Sequence, residues 1–117
     1  MNKGAYILLL MLEKDCNLKI GKIGTIYFKS GIYAYVGSGM KSLFGRVRRH
    51  INKKKKYHWH IDYFLDIANI IGIITIESEE KIECQIASFF SHRFNVIEKF
   101  GSSDCRCKGH LFFLGNF

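Results

Sequence analysis

Proline is absent from the sequence, so turns must be formed by glycine and by clusters of polar residues. Long apolar runs are absent too. The longest, at residues 5–12 and 70–76, fall far short of the roughly 20 residues that cross a bilayer, and we read them as buried strands. The N-terminus also lacks the charged start, apolar stretch and cleavage site of a secretory signal. The sequence therefore predicts a cytoplasmic protein with no membrane partner.

Acidic residues are few, with 10 Asp and Glu against 18 Lys and Arg, and the formal net charge is +8. The excess is concentrated in residues 41–56, which contain no acid. The cations of this stretch are Lys41, Arg46, Arg48, Arg49, Lys53, Lys54, Lys55 and Lys56. Such a block repels itself unless phosphates or counterions are near, which favours a nucleic-acid partner over a merely solvated helix end.

Cysteine occurs four times, at Cys16, Cys84, Cys105 and Cys107. Without an export signal we expect reduced thiols, although intracellular disulfides, as in hyperthermophiles, stay open. Cys105 and Cys107 with His110 suggest zinc, and Cys84 is a candidate fourth ligand. The spacing is not that of a common zinc finger or ribbon, so packed or free thiols are the preferred interpretation.

The chain has 117 residues, of which 48% are apolar, and this predicts one domain over residues 1–117 with one core. The pattern indicates a three-stranded antiparallel unit of residues 4–12, 18–28 and 32–36, in which 18–28 is one bent strand or two short strands around Gly21 and Gly24. It also indicates a buried strand at 70–76 and a final strand at 111–114. We therefore predict an α+β fold, with a small, mostly antiparallel sheet of three to four strands flanked by three helices.

The three helices are predicted from caps and apolar stripes. Ser42 can cap the first, in which Leu43, Val47 and Ile51 share one face. The second covers residues 58–68, with a structural hydrogen bond between His58 and Asp62. The third is predicted to begin at a Ser78 cap, to carry Glu79 and Glu80 in its first turn, and to bury Ile82, Ile86, Phe89 and Phe90.

Four polar side chains on four separate elements form the candidate site: Tyr6, Tyr35, Arg46 and Glu83. Glu83 lies at the edge of the apolar stripe of the third helix, where a buried carboxylate needs a partner or a metal ion. The alternatives are a glutamate paired at the rim of the core, and tyrosines that are core residues with a hydroxyl at its edge.

At this point the sequence resembles a known family. Gly31-Ile32-Tyr33 followed by Tyr35-Val36-Gly37 is similar to the signature of the GIY-YIG nuclease superfamily. Because the two signature tyrosines of that family lie on neighbouring strands, we match the first motif to Gly4-Ala5-Tyr6 instead. Residues 58–63, 83–84 and 101–105 extend the resemblance to a subfamily of small, single-domain GIY-YIG proteins of poorly defined function.

The resemblance implies a metal-dependent endonuclease that hydrolyses DNA by direct attack of water, as in DNA repair. It implies that Tyr6 is a general base or positions the water, that Tyr35 orients the site and that Arg46 stabilises the phosphate. Glu83 would be the sole carboxylate on Mg²⁺ or Mn²⁺, and His50 would lie near the scissile phosphate. Ser38 stands where the family often has lysine, and Lys41 can substitute for it.

Two other interpretations remain open. The first is a nucleic-acid-binding module that keeps the GIY-YIG fold without turnover, and the second is a protein-interaction adaptor. In the first, as in the nuclease, DNA is preferred to RNA as the partner, and phosphate contacts are expected from Lys41, Arg48, Arg49, Lys53, Lys54, Lys55 and Lys56.

Overall fold

The computed structural model describes residues 2–52, 56–102 and 106–116. The strands are β1 Gly4–Leu12, β2 Cys16–Ile20, β3 Gly24–Phe28, β4 Gly31–Ser38, β5 Asn69–Glu77, β6 Asn95–Ile97 and β7 Leu111–Gly115. The helices are α1 Leu43–Ile51, α2 His60–Phe64 and α3 Glu83–Ser91, with one 3₁₀ turn at Gly21–Ile23. Among the described helices, none is long and apolar enough to cross a membrane.

Five strands form the main sheet, in the order β5-β1-β4-β7-β6, and neighbouring strands pair antiparallel. The predicted α+β class, with a mostly antiparallel sheet and three helices, is confirmed. The predicted number of three to four strands is wrong. β6 has three residues, too few for a recognisable alternation, and it was not predicted as a strand.

The predicted three-stranded unit of residues 4–12, 18–28 and 32–36 is also wrong. β1 pairs directly with β4, and Leu12 at the end of β1 lies opposite Gly31 at the start of β4. For residues 18–28 the alternative of two short strands is confirmed, but these strands, β2 and β3, pair with each other in a separate two-stranded ribbon. The ribbon reverses through Gly21 and Gly24, whose φ angles of 44° and 90° suit glycine.

The core lies on both faces of the central strands. Along β1, Tyr6, Leu8 and Leu10 face one cluster together with residues of α1 and α2. Ile7 faces a second cluster, which contains Ala87 of α3. The sheet is therefore the middle layer, with α1 and α2 on one side and α3 on the other.

Strand β5 was predicted to be buried, and this prediction is wrong. β5 is an edge strand, and the side chains of Ile71 and Ile74 are 53% and 46% exposed. An apolar run has the same sequence pattern in an edge strand as in a central strand, so the pattern could not show that β5 lies at the edge.

The boundaries of α2 and α3 also differ from prediction. α2 covers five residues rather than eleven, because Trp59 is extended and the backbone N–H groups of His58 and Trp59 donate to the Asp62 side chain. α3 begins at Glu83 rather than after Ser78, whose hydroxyl oxygen accepts the backbone N–H of Glu80 in a turn. Glu83, not Glu79 or Glu80, is therefore the acidic residue in the first turn of α3.

Candidate active-site cleft

The two tyrosines predicted to lie side by side do so, because β1 and β4 are direct neighbours. Tyr6 is paired with Gly37 and Leu8 with Tyr35, and the rings of Tyr6 and Tyr35 are 6.3 Å apart between centroids. A Cβ at Gly37 would overlap the ring of Tyr6, so glycine is required at this position. The missing side chain at Gly37 thus leaves room for the phenol ring of Tyr6 on the neighbouring strand.

Helix α1 brings Arg46 and His50 to the tyrosines. The predicted cap is confirmed, since the Ser42 hydroxyl oxygen accepts the backbone N–H of Gly45. Leu43 and Val47 are buried as predicted, but Ile51 is exposed and His50 is buried in its place. Spacing of four residues puts Arg46 and His50 on the same face of the helix.

Tyr6 and His50 form a buried layer beneath the cleft. The Tyr6 side chain has no exposed surface, and its hydroxyl lies 2.5 Å from Nε2 of His50. Burial raises the pKa of Tyr6 well above its ordinary value, and the nearby guanidinium of Arg46 offsets only part of this rise. Tyr6 is therefore a neutral phenol at pH 7.

A cleft of about 330 Å³ opens above this layer, at the end of β4. Three of the predicted catalytic residues line it: Tyr35, Arg46 and Glu83. Tyr6 and His50 do not. Residues that the sequence did not single out for the cleft complete the wall, among them Trp59, Lys81, Gly101 and His110. The only sequence signal for Trp59 was its place in residues 58–63, which extend the resemblance.

Glu83 is the carboxylate of the cleft. Its side chain is buried with 10% exposure, and Oε1 lies 3.6 Å from Nζ of Lys81. The second oxygen, Oε2, is buried and has no hydrogen-bond partner among the described residues. A buried anionic oxygen without a partner is costly, and a bound cation would compensate for it.

The donor set fits the hard cation that the resemblance implies. Mg²⁺ usually keeps several waters and takes one or two carboxylates together with substrate oxygens, rather than a full set of protein ligands. Within the described part of the chain, Glu83 is the only carboxylate that lines the cleft. Its unpartnered oxygen is suited to such an ion.

Arg46 is held in place by an aromatic ring. Its guanidinium carbon lies 4.1 Å from the centroid of Trp59, and that of Arg49 lies 4.3 Å from the same ring. Arg49 in turn binds both carboxylate oxygens of Asp62, at 2.8 and 3.0 Å, and donates to the backbone oxygen of Lys56. Arg49 therefore contributes to the structure that supports the site, through contacts that no sequence pattern predicted.

The other described residues that were predicted to contact phosphate do not take part in the contacts between Arg49, Asp62 and Trp59. Lys41 lines the cleft with an exposed side chain, and Arg48 and Lys56 are exposed as well. Lys53, Lys54 and Lys55 lie outside the described residues.

The predicted contact between His58 and Asp62 exists, but it comes from the backbone N–H of His58. His60 instead accepts the backbone N–H of Gly101 at Nδ1, 2.8 Å away.

Fold and cleft together define a small α+β domain whose five-stranded antiparallel sheet supports a cleft with one carboxylate, one guanidinium and one phenol. The chain belongs to the family described as "Domain of unknown function DUF123", whose model matches residues 5–117. Comparison of the chain with curated proteins and with solved structures gives no match. A function must therefore be argued from the cleft itself.

Proposed function

We propose that this protein is a metal-dependent endonuclease that hydrolyses DNA phosphodiester bonds by direct attack of water, of the GIY-YIG type that its motifs resemble. One observation carries the proposal: Glu83, whose buried Oε2 has no hydrogen-bond partner among the described residues, lines the same cleft as Arg46 and Tyr35. These side chains come from three elements that are distant in sequence. Metal-dependent phosphodiester hydrolysis uses a site for a cation, a cationic group for the phosphate and a group that orients water.

Glu83 would hold Mg²⁺ or Mn²⁺, which when bound polarises a phosphoryl oxygen as a Lewis acid. Arg46 supplies the second positive group. Its planar guanidinium can donate two parallel hydrogen bonds to a phosphate, and the Trp59 ring restricts its orientation before substrate binds. Preorganised donors of this kind stabilise charge that develops in the transition state.

The tyrosines have unequal parts in this proposal. Tyr35 lines the cleft, so it is the phenol that orients water or phosphate. Tyr6 is fully buried and neutral, and it packs against Tyr35 while its hydroxyl contacts His50. Of the two roles that the resemblance implies for Tyr6, positioning therefore agrees better with the burial than direct proton abstraction does. His50 acts through Tyr6.

The test is cleavage of branched, nicked and plain duplex DNA with Mg²⁺ or Mn²⁺. Glu83→Gln keeps the shape of the side chain and removes its charge, and Arg46→Ala removes the guanidinium. We expect each to lower the cleavage rate by about 100-fold or more, the usual loss when one transition-state stabiliser is removed. Glu79→Gln, an exposed change of the same chemistry outside the cleft, should cleave like wild type.

Equal cleavage by wild type, Glu83→Gln and Arg46→Ala would assign the activity to a contaminant and contradict the proposal. Wild type that binds DNA but cleaves none of the substrates with either metal would instead support the second candidate, a binding module without turnover. The burial of Tyr6 and His50 favours that candidate, because it leaves the cleft fewer groups that can move a proton.

A further inference from the structure

Two thiols and an imidazole, which are groups that can bind metal ions, converge beside the cleft from two segments that are distant in sequence. Cys84 belongs to α3, while Cys107 and His110 lie in the segment that leads into β7. One ligand atom from each side chain can be chosen such that all three lie within 4.8 Å of one another. We propose that Cys84, Cys107 and His110 bind a zinc ion that ties α3 to the start of β7.

The distances are close to those of a zinc site. With Zn–S bonds of about 2.3 Å and Zn–N bonds of about 2.0 Å, the ligand atoms of a tetrahedral site lie about 3.5 to 3.8 Å apart. The observed upper limit of 4.8 Å therefore requires a contraction of about 1.3 Å at most. Rotation of a cysteine side chain can supply a movement of this size.

Hydrogen bonds to the backbone hold the histidine in place. His110 is buried, and its backbone is fixed by hydrogen bonds to Val36 and Phe100. Its ring Nδ1 lies 3.1 Å from the backbone oxygen of Val36. In the tautomer that donates from Nδ1, Nε2 carries the lone pair, and this is the usual second hydrogen bond of a zinc-binding histidine.

The donor atoms select a different metal from the one proposed at Glu83. Two thiolates and an imidazole are soft to intermediate donors that favour Zn²⁺, whereas carboxylate and water favour Mg²⁺ or Mn²⁺. On binding, each thiol gives its proton to the solvent, two Zn–S bonds form, and no electron is transferred. The fourth coordination position is available to water or another donor.

A zinc ion here would also fix the cleft. Cys84 directly follows Glu83 at the start of α3, and His110 itself lines the cleft. Fixing these residues to each other would hold the backbone of Glu83 against the end of β4. The role is structural, and it holds whether or not the cleft cleaves DNA.

The test is the zinc content of the full chain, purified with reductant and without chelator. We expect about one zinc per chain, measured by elemental analysis, in wild type and in Cys16→Ser. Cys16 lies on the ribbon, so this variant is the matched control. Cys84→Ser and Cys107→Ser should each lower the bound zinc several-fold.

Wild type alone provides a second measurement that does not depend on the folding of variants. After removal of metal, titration with Co²⁺ should produce thiolate charge-transfer and tetrahedral d–d absorption bands, and added Zn²⁺ should abolish them. Absence of these bands, or zinc contents equal in wild type and Cys84→Ser, would overturn the proposal. A peptide with a Cys84–Cys107 disulfide in protein kept under reductant would also overturn it. None of these measurements depends on nuclease activity.

Discussion

Asp62, which was not predicted as a site residue, joins α1 to the start of α2 through several hydrogen bonds. Its side chain is fully buried, yet it accepts hydrogen bonds from the Arg49 guanidinium and from the backbone N–H groups of His58 and Trp59. Since Arg49 and Arg46 both lie against the Trp59 ring, the position of Arg46 depends indirectly on Asp62.

We expect Asp62→Asn to lower the free energy of unfolding by about 3 kcal/mol, the lower end of the range for breaking a buried ion pair, because Arg49 keeps some contact with solvent. Urea unfolding at neutral pH measures this. Glu79→Gln, which removes an exposed carboxylate, should stay within about 0.5 kcal/mol of wild type. If Asp62→Asn lowers the free energy of unfolding no more than Glu79→Gln does, the ion pair between Arg49 and Asp62 contributes little to stability.

The effect of Asp62 should also depend on pH. Burial alone would raise the pKa of Asp62, but the hydrogen bonds from Arg49 and from the backbone of His58 and Trp59 outweigh it and hold the pKa below its ordinary value of 3.8. The stabilisation is therefore present above pH 3.8 and is lost as the pH falls through the lower, folded-state value. In unfolding experiments below pH 3.8, wild type and Asp62→Asn should converge. A constant difference would contradict this assignment.

At the scale of elements, sequence patterns predicted strand bounds and helix caps, which depend on adjacent residues in the chain. They did not predict features that depend on contacts between elements distant in sequence. The strand predicted over residues 4–12 has the bounds of β1, and the cap of α1 is Ser42 as predicted. Exposure of β5 could not be predicted, because it depends on which strand lies beside it. The false cap at Ser78 arose because a serine followed by acidic residues also forms a simple turn.

The candidate site shows the same division. The proximity of Tyr6 and Tyr35 followed from matching the first motif to β1, and β-pairing then aligned them. The burial of Tyr6 and His50 could not be read from the sequence, because it results from the packing of α1 on β1. The pairing of Arg49 with Asp62 joins residues 13 positions apart across two helices, and no local pattern encodes it.

The contrast between edge and centre of the sheet can be measured with one pair of variants. Leu8→Ala on β1 removes a fully buried side chain and should cost about 2 to 5 kcal/mol. Ile74→Thr on the adjacent edge strand β5 keeps a β-branched side chain at an exposed position, and we expect a loss below about 1 kcal/mol. Thermal or urea unfolding distinguishes them. Equal losses would mean that β5 is covered in solution.

At the scale of the whole molecule, the charge of +8 predicts salt-sensitive binding to DNA. Arg48 is exposed on α1, which carries Arg46 to the cleft. If Arg48 contacts one phosphate, Arg48→Ala should reduce the slope of log affinity against log salt concentration by about 1. Fluorescence anisotropy of labelled duplex DNA over a salt series measures the slope.

Lys14→Ala is the matched control for this series. It removes the same charge from the loop that follows β1. Tyr6, which is paired with Gly37, lies near the start of β1, so this loop is at the far end of the strand. The slope should then stay near that of wild type. If Arg48→Ala and Lys14→Ala lower the slope equally, the attraction reflects net charge and the interface does not lie at α1.

The two-stranded ribbon between β1 and β4 has a consequence for how this chain can change in length. Leu12 and Gly31 are already neighbours, so a short turn could join them and the sheet itself would lose no pairing. Ile20 and Phe28 of the ribbon are nevertheless fully buried, in the same cluster as Phe64 of α2. A shorter relative without the ribbon would have to fill that space with larger side chains elsewhere, so a deletion here is tolerated only together with compensating substitutions.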